Sequence, residues 1–266
     1  MSEVVQQSVE RGVAVLTLNR PERLNAWTHE MERDYFALLD ECAAREDVRV
    51  IVLTGAGRGF CAGADMDDLQ SLGEDGVQAA DGDGRRPQTF PLTVPKPIIA
   101  AINGPCAGIG LVQALMCDLR FAAADAKLTT AFARRGLVAE HGISWILPRL
   151  VGPARALDLL LSGRVVLGEE AAALGLVNRA LPGERVVDET LAYARDMATN
   201  CSPASMAAMK RQVYADLERG AAEALAEADR LMLASFERDD FREGVASFVE
   251  RREPRFAPLA APQRVQ

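Results

Sequence analysis

A chain of 266 residues, 49% hydrophobic and 26% charged, has the composition of a folded globular protein and room for one large domain or a domain with an appendage. A net charge of −8 leaves no broad basic surface for phosphates, which argues against nucleic acid as a main partner. No apolar run approaches the ~20 residues of a membrane span, the first residues are polar rather than leader-like, and five scattered cysteines without a Cys-x-x-Cys read as reduced thiols of a cytoplasmic protein.

In chain order, residues 3–10 and 13–18 alternate as a hairpin turning at Arg11-Gly12. Residues 19–25 then form a loop, and Thr28 caps a helix whose apolar stripe is Met31, Tyr35, Leu38, Leu39 and Cys42. The β-branched run 48–54 is a buried strand, followed by four glycines within residues 55–65 and plausibly by a helix from Ala64. Residues 73–91 are polar and glycine-rich, a surface segment or a lid. A second strand at 98–102 leads into another glycine turn, 103–110, and a helix start at 111. Short strands follow at 118–122 and 126–129, then irregular sequence from 131 to 150. Beyond Gly152-Pro153 the pattern is helical: a segment with Ala156, Leu157, Leu160 and Leu161 on one face, another from 168 to 174 stopped by Gly175, one opened by Ser202-Pro203 and reaching about 217, and two more over 221–237 and 240–250.

The two glycine loops are either turns and nothing more or the places where chemistry is done. Neither is a dinucleotide fingerprint: counted from Gly55 the third glycine falls on Phe60, and counted from Gly108 it falls on Gln113. No Gly-Lys-Ser/Thr makes a P-loop. What remains is two turns rich in free backbone N–H groups, suited to an anion or to negative charge that develops during a reaction. The two histidines, His29 and His141, have no metal-ligand spacing, and no metal site is expected; His29 reads as a helix-start residue.

The motifs Asn19-Arg-Pro…Asn25-Ala26, Phe60-Cys-Ala-Gly-Ala-Asp65, Ala100-Ala-Ile-Asn-Gly104…Ala107-Gly108, Met116-Cys-Asp118, Gly175-Leu-Val177 and Glu243-Gly-Val-Ala-Ser-Phe248…Arg251-Arg…Pro254-Arg-Phe256 stand in this order along nearly the whole chain. In them the sequence resembles the crotonase, or enoyl-CoA hydratase/isomerase, superfamily. The resemblance implies an α/β fold, a crotonase-like spiral of ββα units over residues 1–200 that holds the site. It also implies a helical C-terminal region over 201–266 used for assembly into a homotrimer or a dimer of trimers. The substrate would be an acyl-CoA thioester, with no permanently bound cofactor. Its carbonyl would be held by the N–H groups of Ala64 and Ile109, the latter standing where the family usually has glycine. Ala62, Asp65 and Met66 would line the coenzyme A path, with Arg23 and Arg251 as phosphate contacts, Arg251 from a neighbouring subunit.

The sequence departs from the family's hydratases, whose two glutamates are matched by Val112 and Phe132, neither able to exchange a proton. With Leu137 these suggest an apolar substrate pocket. The remaining acid/base is Glu140, where some relatives carry a functional aspartate, set among Val138, Ile143 and Trp145, with His141 as an orienting group or second proton carrier. The readings left open are isomerisation or hydration of an enoyl-CoA, nucleophilic attack by Glu140, and a coenzyme A-binding scaffold in which Glu140 pairs with Arg134, Arg135 or Arg149.

Overall fold

The computed structural model describes residues 3–67, 70 and 86–259. Most of the polar segment at 73–91 therefore lies outside the described residues. Alternation at the start of the chain becomes an antiparallel hairpin, β1 (Val5–Glu10) and β2 (Val13–Leu18), turning at Arg11 and Gly12, both at positive φ. Thr28 Oγ1 accepts from Met31 N at 3.2 Å and starts α1 (His29–Ala44), which lays Met31, Tyr35, Leu39 and Cys42 against the sheet. β3 (Val50–Gly55) runs parallel to β2, and β4 (Ile98–Ile102) parallel to β3; both are buried along their whole length, as continuous apolar runs demand.

After the second glycine turn come β5 (Cys106–Ala107), α2 (Ile109–Leu115), β6 (Leu119–Ala123) and β7 (Lys127–Thr129). The main sheet has six strands in the order β1-β2-β3-β4-β6-β9, with only β1 antiparallel to its neighbour, and β5, β7 and β8 form a second sheet. The strands β8 (Val166–Leu167) and β9 (Arg179–Leu181) are too short to show a period and went unread in the sequence.

The stretch expected to be irregular contains a helix, α3 (Ile143–Val151), opened by Gly142 in a left-handed conformation and carrying Pro148 in its interior. That proline was what disguised it. α4 (Pro153–Ser162) turns differently from expectation: Ala156 and Leu159 are buried, while Leu157 and Leu161 face outward. α5 (Gly168–Leu174) ends at left-handed Gly175, and α6 (Val186–Asn200) covers β2, β3, β4 and β6. The chain is then helical: α7 (Pro203–Asp216), capped by Ser202, α8 (Ala221–Phe236) and α9 (Asp239–Glu250). No helix among the described residues is long and apolar enough to cross a membrane.

A buried ionic cluster fastens α7 to the core. Lys210 Nζ pairs with Asp118 Oδ2 at 2.8 Å, and the same carboxylate accepts from Tyr214 Oη and from Ile98 N. Lys96 Nζ donates to the carbonyls of Cys42 and Arg45 at the end of α1, and burial pushes its pKa down to about 8.

Candidate active site

The site starts with a strut. Asn25, fully buried and at φ 56°, donates from Nδ2 to the carbonyls of Ala56 (3.0 Å) and Gly59 (2.8 Å), and its Oδ1 accepts from Arg20 N (2.8 Å). The Asn-Arg-Pro…Asn-Ala motif is therefore the support of the first glycine loop. Arg20 adds a bond to Ala26 O and a 2.9 Å ion pair with buried Asp65, whose other oxygen accepts from Asp67 N. The Arg20 guanidinium holds the Asp65 carboxyl below the usual carboxylate range. Asp65, expected on the coenzyme A path, uses its carboxylate and its N–H, which donates to Trp27 O, to hold the loop.

The two glycine loops run side by side. Cys61 and Cys106 form a parallel bridge, with Cys61 N donating to Pro105 O and Ala107 N to Cys61 O. From this pair both strands read Cys-Ala-Gly and then the residue of interest, Ala64 or Ile109, each three positions past its cysteine. The loops stay in contact at the glycines: a Cβ on Gly108 would lie 3.8 Å from Gly63 Cα, and one on Gly63 only 3.3 Å from Ala107 O. Both glycines have positive φ (105° and 50°), so a side chain at either would be strained as well as crowded.

On the other side, Trp27 forms a parallel bridge with Ala64: Trp27 N donates to Gly63 O at 2.7 Å, and Asp65 N to Trp27 O at 2.9 Å. This pairing uses the neighbours of Ala64 and directs the Ala64 N–H away from Trp27. Ile109 is the first residue of α2, where backbone N–H groups lack intrahelical acceptors. Neither the Ala64 nor the Ile109 N–H has an acceptor among the described residues. The Ile109 side chain is buried in the hydrophobic core.

The other expected site residues fall into three groups. Arg23 pairs with Asp67 at 3.0 Å beside Ala62, whose N–H donates to Leu24 O, and beside exposed Met66; one cluster therefore holds Arg23, Ala62, Asp65 and Met66. Arg251 stands apart at the left-handed end of α9, in a segment anchored through Phe256 O to Arg49. That anchor sits at the N-terminal edge of β3, roughly 20 Å of strand from the first glycine loop. Val112 and Phe132 are buried in the core and Leu137 is half exposed; Gly108 N donates to Thr129 O, so the chain entering Phe132 runs beside the second loop.

Glu140 and His141 meet each other, Nε2 to Oε2 at 3.4 Å, with side chains 32% and 38% exposed. Among the described residues none of the three arginines engages Glu140. Arg134 donates to Ser162 O, Arg135 to Ala131 O, and Arg149 pairs with Glu218 and stacks on Trp145. The expected apolar surround is only partial, for Val138 is 75% exposed while Ile143 is buried. A Cβ on Gly142 would meet Thr89 Cγ2 at 3.0 Å and Met116 Cε at 3.5 Å, so this loop abuts the far end of α2, the helix that Ile109 begins.

Sequence reasoning missed a cleft of about 510 Å³ here, lined by His29, Glu32, Arg86, Gln88 and His141 among others. His29 is a helix-start residue as expected, yet both histidines of the chain border this cleft. A polar chain enters it: Trp27 Nε1 donates to Glu32 Oε2 (3.3 Å), Gln88 Nε2 donates to the same oxygen (2.6 Å), and Gln113 Nε2 donates to Gln88 Oε1 (2.5 Å). The repeated Cys-Ala-Gly was the one visible signal for the loop pairing; the polar chain joins residues 25 and 56 positions apart and left none. No group of three His, Cys, Asp or Glu among the described residues is placed to hold a metal ion.

A family model described as enoyl-CoA hydratase/isomerase matches residues 8–258. The chain is 36% identical over 264 residues to the 1,2-epoxyphenylacetyl-CoA isomerase of Escherichia coli (strain K12), covering 96% of this chain and 99% of that protein. Among solved structures, a probable enoyl-CoA hydratase/isomerase from Mycobacterium abscessus superposes with a TM-score of 0.89 at 34% identity, covering 96% of this chain and 99% of the other. An enoyl-CoA hydratase from Mycobacterium marinum is 52% identical with a TM-score of 0.70, covering 82% and 100%.

Proposed function

The chain belongs to the enoyl-CoA hydratase/isomerase family, and from that premise we propose that it isomerises the double bond of an enoyl-CoA through a thioester enolate. The observation that carries the reading is the pair of N–H groups at Ala64 and Ile109, both without acceptors among the described residues and both following glycines that lie close together. Two such donors on one carbonyl oxygen stabilise the negative charge that appears there when a carbon acid loses its proton, each by about 3 kcal/mol. The α2 N-terminus adds its dipole in the same sense.

Glu140 is the proton carrier, removing a proton from one carbon of the acyl chain and returning it to another. One carboxylate suffices for that exchange, whereas the usual hydration route needs a second acid, and Val112 and Phe132 cannot serve. Freedom from the nearby arginines supports this role over the scaffold reading, and His141 orients the carboxylate. The E. coli relative is named an isomerase of an epoxyphenylacetyl-CoA, which supports rearrangement of an acyl-CoA thioester without added water as the reaction class. The cluster of Arg23, Ala62 and Met66 lies along the coenzyme A path. Apolar side chains outward on α7–α9, with Phe248 85% exposed, together with a groove of about 590 Å³ bordered by Met209, Phe241, Val245 and Phe248, support a trimer built on this face, with Arg251 serving a neighbouring subunit.

The test is a panel of enoyl- and hydroxyacyl-CoA thioesters assayed with the wild type and Glu140→Gln. Thioester binding is expected to persist while turnover falls by about a hundredfold or more. Unchanged turnover removes Glu140 from the mechanism.

A further inference from the structure

We propose that Glu32 is a positioning residue that ties the two N–H donors into one unit; the inference rests on the oxyanion reading above. Each donor is placed by a different part of the chain. Ala64 is held by its backbone bridge to Trp27, and Ile109 is the first residue of α2. Between them runs a continuous hydrogen-bonded path centred on one carboxylate oxygen. Glu32 Oε2 accepts from the Trp27 indole at 3.3 Å and from Gln88 at 2.6 Å, and Gln88 accepts from Gln113 at 2.5 Å. Gln113 stands one helical turn beyond Ile109, on the same face of α2.

The path has a direction. A carboxylate only accepts, so Gln88 must turn its NH₂ to Glu32 and its oxygen to Gln113, and Gln113 must offer its NH₂. This leaves Gln113 Oε1 buried without a partner among the described residues. A fully buried amide with an unsatisfied oxygen is a poor core residue, and an aliphatic side chain of similar size would pack without that penalty. Its presence fits a residue kept for the bond it donates. The Trp27 end is equally fixed: the ring packs edge-on to Tyr35, centroids 5.8 Å apart at 79°, and the indole N–H is its polar handle. Removing Glu32 would free the indole from one side and Gln88 from the other, loosening both loops at once.

The experiment reads the donors without using turnover. Acetoacetyl-CoA, whose enolate absorbs in the near ultraviolet, is bound to the wild type, Glu32→Ala, Trp27→Phe, Gln113→Leu and the double variants with Glu32→Ala. Butyryl-CoA affinity and thermal melting are measured alongside. Glu32→Ala is expected to lower the bound enolate by about tenfold, part of what loss of a whole donor costs. Butyryl-CoA affinity should stay within about twofold, since ground-state binding spreads over the coenzyme. Trp27→Phe and Gln113→Leu should each lower the enolate, and neither should lower it further once Glu32 is gone. An unchanged enolate in Glu32→Ala, or full additivity with Trp27→Phe, overturns the proposal. A wild type that forms no enolate overturns the oxyanion reading, and this inference with it. If Glu32→Ala does not fold, Trp27→Phe decides alone: it removes the indole N–H with its five-membered ring and keeps a six-membered aromatic ring against Tyr35, so a lowered enolate at unchanged melting supports the coupling and an unchanged one refutes it.

Discussion

Asn25→Ala tests the strut beneath the first glycine loop. The substitution deletes two donated bonds, to Ala56 O and Gly59 O, and one accepted from Arg20 N, all between 2.8 and 3.0 Å. At a fully buried position the three backbone partners are left unsatisfied, for a loss of about 3–5 kcal/mol. Alanine at φ 56° adds roughly 1 kcal/mol of backbone strain that asparagine tolerates. For a chain of this size the sum corresponds to a melting temperature lower by about 10 °C or more at fixed protein concentration. Asn25→Asp sharpens the test. It keeps the acceptor for Arg20 N but turns a carboxylate oxygen towards two carbonyls, so it should be at least as unstable as the alanine variant. Differential scanning calorimetry on the three proteins is the measurement. An alanine variant melting within about 2 °C of the wild type, or an aspartate variant more stable than it, would show that these bonds do not hold the loop.

Lys96 gives a pH signature. Between its folded pKa of about 8 and its ordinary 10.5, the unfolded chain keeps a proton that the folded chain has lost, so this group's contribution to stability rises with pH across that window, by up to about 3 kcal/mol. The buried thiols of Cys61 and Cys117, pushed up to about 12, act oppositely above pH 9, so the difference in urea stability between the wild type and Lys96→Met isolates the lysine; a flat difference from pH 8 to 10.5 refutes the assignment. Titration of the native protein with Ellman's reagent should find one reactive thiol per chain at most, Cys201, with the other four appearing only on denaturation; rapid reaction of two or more contradicts the burial described. If the proposed trimer is built on this face, Phe248→Asp should lower the solution mass towards that of a monomer, measured by light scattering, and an unchanged mass would place the assembly on another face.

What the sequence made legible follows from the range of the interactions. The hairpin, α1 with its Thr28 cap, the buried strands and the Ser202-Pro203 helix start are local devices, each written within one or two turns of chain. The two glycine loops were readable for the same reason, since crowded, positive-φ backbone at Gly63 and Gly108 admits little else. α3 was lost because Pro148 broke its pattern, and β8 and β9 because two or three residues carry no period. The ion pair of Asp65 with Arg20 was not legible because the two residues lie 45 positions apart. Trp27, Glu32, Gln88 and Gln113 were invisible as a group: each is ordinary where it stands, and only folding joins them.

The pairing of Cys61 with Cys106 has a hereditary consequence. Because the groups offered by positions 64 and 109 belong to the main chain, replacing the letter at either position by anything but proline keeps them. Inserting or deleting one residue between 61 and 64, or between 106 and 109, would displace the proposed donor by about 3.3 Å from the paired cysteines. The proposed site therefore tolerates substitution at 64 and 109 but not at the glycines before them, and it resists any change in the count of three from each cysteine.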